Sequence, residues 1–446
     1  MRNWRNIEIG KVIDFNPSES IKKGAIAKKI PMDKLNVFDK KIRGFEITEY
    51  NGGPKFRNGD TLLARITPCL ENGKTAKVDI LDEDEVAFGS TEFIVLRENE
   101  HSINEFIFYL AKSPAFRKRA ISCMEGTSGR KRVNEGALKL QVLPIPDIET
   151  QQKIAAVLSS LDAKIETNNC INIELETMAK TLYDYWFVQF DFPDANGNPY
   201  KTSGGKMVYS NELKRDIPEG WEVKTLDQWI TNDKSGDWGK ESPEGNYTKK
   251  VCCVRGADIN GLNGLGNCNT PIRYILEKNE FKILEPHDLI VEISGGSPVQ
   301  STGRLAYVTE ATAKRFEAPL ICSNFCKAVS LKNKKQLYNF VYLWNRVYDN
   351  GILFGYEGKT SGIKNLLFDS FVSTYQTVVP KDELTEKFYN FMEPFQNQKQ
   401  RNLLENQKLT EQRDWLLPML MNCQVTVEDA IEQLGMVAES VEQYGK

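Results

Sequence analysis

Two stretches carry the residue types that grip an anion: Gly126-Thr127-Ser128-Gly129-Arg130-Lys131-Arg132 and, far along the chain, Gly358-Lys359-Thr360-Ser361-Gly362-Ile363-Lys364. Glycine lets a backbone approach a phosphate, hydroxyls and N–H groups bond its oxygens, and Arg or Lys neutralises its charge. Each stretch follows a polar loop between expected paired strands. The first loop offers Arg65, Thr67, Asn72, Gly73 and Lys74; the second offers Ser294-Gly295-Gly296-Ser297, Gln300, Ser301, Thr302 and Arg304. Gln, Asn and Arg can also read adenine or guanine edges in a major groove. Taken singly, the loops are ordinary turn chemistry and the basic run a solvated surface. Recurrence at matching places in both halves favours nucleic acid. Arg130-Lys131-Arg132 becomes Ile363 and Lys364 in the second copy, so the two halves should prefer different targets.

Motifs that imitate catalysis fail on their details. Asn198-Pro199-Tyr200 lacks the second proline of a base-holding methyltransferase loop, and it sits in a turn-rich linker. Gly73-Lys74-Thr75 and Gly358-Lys359-Thr360 imitate a phosphate loop, but Pro68 and Leu353 stand where its first glycine must be. Gly261-x2-Gly264-x-Gly266 has the wrong order for a dinucleotide loop. Pro146-Asp147 with Asp162-Ala163-Lys164 imitates a nuclease metal site, yet it opens a helix rather than lying on strands. His101 and His287 support neither a Ser-His-Asp nor a Cys-His arrangement. The nine cysteines do not fall into two pairs at zinc spacing with histidines, so reduced thiols are expected and no metal. The reading is of a binding protein, not an enzyme.

Composition sets the frame. A chain of 446 residues with 40% hydrophobic residues suffices for two or three cored domains. No run of about 18 apolar residues exists, and Met1-Arg2-Asn3-Trp4 lacks the apolar centre of a signal peptide, so a soluble, cytoplasmic protein with no membrane partner is expected. A net charge of −3 argues against indiscriminate coating of polyanions but leaves room for a local basic face. Arg117, Lys118, Arg119, Arg130, Lys131 and Arg132 form one, while the end of the chain after Cys423 is acidic.

The elements that must position these residues come twice. In the first half, strands are expected at 7–12, 60–66, 75–80 and 92–96 and a helix at 103–119; in the second, strands at 221–223, 287–293, 304–308 and 324–331 and a helix at 336–348. Each half ends in a long helix. The seam of the first runs Leu158, Leu161, Ile165, Asn168, Asn172, Leu175, Ala179, Leu182, Trp186; that of the second runs Phe388, Phe391, Phe395, Gln398, Asn402, Glu405, Leu409, Gln412, Leu416. Steps alternating four and three keep one stripe facing a partner helix. Antiparallel pairing is favoured because a parallel one sets Leu175 against Glu405 and Leu182 against Gln412. It places Asn168 opposite Asn402, Asn172 opposite Gln398 and Leu182 opposite Phe388, with Asp147 and Asp382 as N-caps. The class expected is α+β: two mixed, mostly β domains separated by two long antiparallel helices forming a coiled coil, with an internal pseudo-two-fold repeat. The segments are 1–146, helix 147–190, linker 191–217, 218–381, helix 382–421 and acidic tail 422–446.

Further signatures are Gly59-Asp60-Thr61-Leu62-Leu63-Ala64-Arg65 with Gly73-Lys74, Leu143-Pro144-Ile145-Pro146 leading into Gln151-Gln152-Lys153-Ile154, and Ile217-Pro218-Glu219-Gly220-Trp221. With Gly126-Thr127-Ser128-Gly129 and the repeated architecture, the chain over about residues 1–421 resembles the specificity subunits of type I restriction-modification systems. The second copy departs from the pattern: it lacks the Gln-Gln-Lys-Ile run, and Pro286-His287-Asp288 replaces Asn58-Gly59-Asp60. The resemblance implies two target-recognition domains on a helical spacer, reading a bipartite double-stranded DNA sequence with an unspecified gap. It implies partners as well: two modification subunits that carry S-adenosylmethionine and methylate adenine, and restriction subunits that use ATP and Mg to translocate and cut. No cofactor is expected in this chain. The other class left open is a helical scaffold whose mixed domains bind peptide or sugar.

Overall fold

The computed structural model of the chain describes residues 4–37, 39–127, 129–266, 268–295, 299–359 and 363–432. Two compact units emerge: Met1–Glu166 with Gln407–Lys446, and Thr167–Asn406. Each holds one mixed, mostly antiparallel α+β lobe and one stretch of both long helices.

The lobe of the first unit is built on a four-stranded antiparallel sheet in the order Ile13–Phe15, Phe93–Glu98, Thr61–Ala64, Thr75–Lys77. Its central strands read as nearly continuous apolar runs because both faces are covered. A second sheet runs Glu46–Glu49, Ile26–Ile30, Ala87–Gly89, Lys55–Phe56, with the middle pair parallel. The second unit repeats the plan. Its main sheet is Ile230–Ser235, Cys326–Leu331, Leu289–Glu292, Leu305–Tyr307, and its companion is Ile272–Leu276, Tyr247–Val254, Leu320–Cys322, with the last pair parallel. In each lobe the first strand pairs with the strand that feeds the long helix: Trp4–Glu8 with Val142–Pro146, and Glu222–Thr225 with Gln376–Val379. The internal repeat is thus one of strand order as well as of motifs. The helix expected at 103–119 is two, Asn104–Lys112 and Pro114–Ser122, because Pro114 cannot continue the first and serves instead as the opening residue of the second.

The first long helix spans Ile148–Tyr183 and is capped by Asp147, whose Oδ1 accepts from the Thr150 N–H at 2.9 Å. The second spans Asp382–Met421. Here Asp382 is the first helical residue rather than the cap; Lys381 supplies the carbonyl that accepts from Leu384 and Thr385 N–H, and Asp382 with Glu383 favours the positive end of the helix dipole. Gln151, from the Gln-Gln-Lys-Ile run, is fully buried. It donates to the His101 and Pro146 carbonyls at 2.9 and 3.0 Å and accepts from Ile103 N–H at 3.2 Å, locking the helix to its own lobe. At the matching place, Thr385 is too short to reach across and bonds only the carbonyls of its own turn.

The helices run antiparallel within each unit, since partners descend in number along one as they ascend along the other. In the second unit Asn168 Nδ2 donates to Glu405 and Asn406 at 2.8 and 2.9 Å, Asn402 Nδ2 donates to Asn172 at 2.9 Å, and Lys399 meets Glu176 at 2.7 Å. In the first, Arg413 meets Asp162 at 2.7 Å. The expected register was one turn out: Asn172, not Asn168, faces Asn402. Phe388 is ringed by Tyr183, Trp186 and Phe187, and Leu182 packs against the same cluster. Phe391 is 54% exposed, and Met392, Gln396 and Gln400 are buried in its place. The second helix faces its lobe as well as its partner, which hides these polar residues: Gln396 bonds Tyr342 and Tyr307, and Gln400 accepts from Arg315 at 2.8 Å.

Asn402→Ala should therefore cost about 1–3 kcal/mol in urea unfolding, because it strips a buried amide oxygen of its donor. The double change Asn172→Leu with Asn402→Leu should recover that loss. A double variant no more stable than the single one would contradict the pairing. Beyond the helix, Val427 and Ala430 are buried in the first unit's core, so the acidic segment is anchored at its start; residues 433–446 lie outside the described set.

Candidate nucleic-acid interface

In the first lobe the loop between Thr61–Ala64 and Thr75–Lys77 closes as a helical turn, with Leu70 N–H on the Ile66 carbonyl and Asn72 N–H on that of Pro68. The Gly126–Arg132 run is the turn of a hairpin between Met124–Glu125 and Arg132–Val133. Loop and hairpin are stitched together: Thr67 N–H donates to the Lys131 carbonyl at 3.0 Å, and Val133 N–H to that of Arg65 at 2.9 Å. The two stretches singled out in the sequence thus form one surface.

Which side chains face solvent there is decided by what each is already bonded to. Arg65 spends its guanidinium on the Val133 carbonyl at 2.9 Å, and Lys74 its ammonium on that of Met32 at 3.0 Å. Arg132 is held two-pronged by Glu92 at 2.6–3.0 Å, which also raises its pKa. Arg117 grips the Glu71 carbonyl at 2.7 Å. Asn72, Thr127, Arg130 and Lys131 are exposed, and among the described residues no side chain meets either of these two cations. Ser128 lies outside the described residues. Arg132 was expected to contact phosphate directly; here it is a tie between hairpin and sheet. Glu92→Ala should release it, steepening the salt dependence of DNA binding by about one unit. An unchanged slope in a salt titration would show that Arg132 is not restrained by Glu92.

The second lobe answers element by element. Ser294–Gly295 pairs with Lys364–Leu366, which closes a hairpin with Glu357–Lys359, and Leu366 N–H donates to the Ile293 carbonyl as Val133 does to Arg65. The loop returns through Gly303 at φ 102°, where a Cβ would lie 2.4 Å from Leu353 Cδ1, so only glycine fits. Its polar groups are turned inward. Thr302 donates to Glu357 through N–H and hydroxyl at 2.8 and 3.2 Å, and Ser301 bonds the Thr302 carbonyl at 2.9 Å. Both are buried, so as placed they shape the loop and do not offer contacts, which corrects the expectation from residue type. Ser294 is spent on Asn365. Arg304 is paired two-pronged with buried Glu292, and that hydrogen bonding raises its pKa. Lys364 meets Glu357 at 3.0 Å; burial opposes the charge on Glu357, but the Thr302 N–H and Lys364 outweigh it and lower its pKa. Gln300 is exposed. Ser297, Thr360 and Ser361 lie outside the described residues, as does the Lys359 side chain.

Beside this hairpin opens a cleft of about 580 Å³, lined among others by Trp238, Arg255, Asn324, Phe325 and Ile363. Of these only Ile363 lies in a stretch singled out in the sequence; Trp238, Arg255, Asn324 and Phe325 carried no motif that marked them. Tracing equivalent bonds identifies its place in the repeat: Ile293 N–H donates to the Phe325 carbonyl at 2.9 Å just as Arg65 N–H does to that of Glu92 at 2.9 Å.

Residues 1–177 match the type I restriction modification DNA specificity domain. The relatives of the wider chain are type I specificity subunits as well. The chain is 24% identical to the specificity subunit of the type I restriction enzyme MjaIX of Methanocaldococcus jannaschii, over 73% of this chain and 70% of the relative. It is 25% identical to that of HindI of Haemophilus influenzae, over 95% of this chain and 100% of the relative. The type I S subunit of M. genitalium shares its fold at a TM-score of 0.52 and 16% identity, over 94% and 96% of the two chains. Among the described residues no helix is long and apolar enough to cross a membrane.

Proposed function

We propose that the two lobes are target-recognition domains that each read one half of a bipartite duplex, and that the chain thereby directs adenine methylation and DNA cleavage by partner subunits. The observation that carries the reading is the recurrence of one loop–hairpin surface at the same place in two lobes of the same strand order. A single reader would need only one. Arg130 and Lys131 contribute sequence-independent attraction to phosphates, while Asn72 and Gln300 reach base edges. The helices set the spacing between half-sites. Catalysis belongs to two modification subunits with S-adenosylmethionine and to restriction subunits with ATP and Mg, and the complex works in the cytoplasm, where its DNA lies.

Selection from random duplexes by this chain assembled with its modification subunits tests the proposal. A split motif with a gap of fixed length and variable sequence is the expected outcome. Enrichment of no motif, with the complex intact, would favour a scaffold that binds other ligands.

A further inference from the structure

The second lobe's cleft has a composition unlike the rest of the interface. Phe325 is 53% exposed, Ile363 48% and Trp238 36%, so large apolar groups face solvent together. Asn324 is exposed beside them, and among the described residues its amide meets no partner. The cleft's charged groups are already satisfied: Arg255 by Asp258 at 2.8 Å, Glu292 by Arg304 at 2.9 Å. What it offers is an apolar wall and one free amide. The surface is continuous with the hairpin face, because Ser294, Gly295 and Ile363 line both. In the first lobe the equivalent of Asn324-Phe325 is Thr91-Glu92, and Glu92 is occupied with Arg132.

We infer that the Asn324-Phe325 turn reads an A·T pair in the second half-site, through the major groove. This rests on the DNA-reading proposal and names the residues that set specificity within it. Phenylalanine is an apolar partner for the thymine 5-methyl group, and an Asn amide pairs with adenine N6 and N7. Both marks lie on the major-groove edge of one base pair, and adjacent residues on one turn meet adjacent groups. A G·C pair offers neither the methyl nor the N6 donor, and is excluded by the absence of contacts rather than by a clash.

The test uses the complex with its modification subunits and a duplex it has selected. Replacing each thymine of the second half-site in turn by uracil removes only the methyl. At one position this should weaken binding about fourfold, the factor carried by one buried methyl-sized group. Replacing the paired adenine by 7-deazaadenine should weaken it by about tenfold. Phe325→Ala should bind thymine and uracil duplexes alike, Phe325→Leu should still distinguish them, and Asn324→Ala should become indifferent to 7-deazaadenine. Because both side chains are exposed, the variants should melt with the parent. Thymine–uracil discrimination that survives in Phe325→Ala overturns the inference, as does a half-site with no A·T position sensitive to either analogue. Permanganate reactivity of an unpaired thymine there would point to an extruded base in the cleft and would also overturn it. Selection of no second half-site would instead sink the DNA-reading proposal itself.

Discussion

Asp60→Ala is expected to destabilise the first lobe by about 3 kcal/mol, the lower end of the range for breaking a buried ion pair. Asp60 is fully buried and holds Arg97, itself 8% exposed, through two bonds of 2.6 and 2.7 Å. Glu19 keeps a third bond to Arg97 at 2.6 Å, which moderates the loss. Asp60 also accepts from Arg57 N–H at 2.9 Å and so secures the turn that launches the central strand. The second lobe uses the same aspartate differently. Asp288 accepts from Ser330, the counterpart of Arg97, at 2.6 Å and from Glu285 N–H at 2.9 Å. Asp288→Ala removes no cation's partner, and about 1–3 kcal/mol is expected. Urea unfolding followed by hydrogen exchange at peptide resolution would separate the two losses. Equal losses would show that the Asp60–Arg97 charge pair adds nothing beyond an ordinary hydrogen bond.

The largest effect on binding is expected from Arg130→Ala with Lys131→Ala. If each side chain releases one counterion, the pair accounts for roughly fiftyfold in affinity at 0.1 M salt, for cognate and random duplexes alike. The salt slope should flatten by about two units. Lys364→Ala, the matching change in the second lobe, should move the slope by less than one, because that ammonium already faces Glu357. Such a difference is expected if, as proposed, the first surface attracts by free charge and the second reads with neutral groups. A double variant that loses affinity only for the cognate duplex would mean that Arg130 or Lys131 contacts bases.

Much of the fold was legible because periodicity and motif recurrence report on backbone and burial. The doubled order, the antiparallel helices and the Asp147 cap follow from alternating steps of four and three and from a Pro-Asp helix start. The register did not, because Gln396 and Gln400 look like solvent residues and are buried against the lobe, while Phe391 looks like core and is exposed. Only a third surface, absent from any pairwise comparison of seams, decides that. The shared surface of loop and hairpin was legible as two stretches, but not which of its side chains are free. Arg65, Arg132, Arg304 and Lys364 have the residue types of DNA-facing cations, yet each is bonded within its own lobe by a partner that sequence spacing does not reveal. Conversely, Asn324 and Phe325 sit where apolar strands meet, and nothing in their neighbours distinguishes a turn that faces solvent from one that is buried.

The His287 departure has a physical account as well. It adopts φ 81° where the first copy has Gly59 at φ 95°, a conformation that costs a side chain about 1–2 kcal/mol. Its ring bonds the Tyr389 hydroxyl at 2.8 Å, a contact to the second long helix that glycine could not make.

The central claim is that two separate surfaces of one chain grip two patches of one duplex. Hydroxyl-radical footprinting of the assembled complex on a selected duplex, at saturating protein, measures this most directly. The account predicts two protected patches with accessible bases between them, of which the Arg130→Ala, Lys131→Ala variant loses one as salt is raised and keeps the other. A single continuous patch, or two that fade in step, would contradict it.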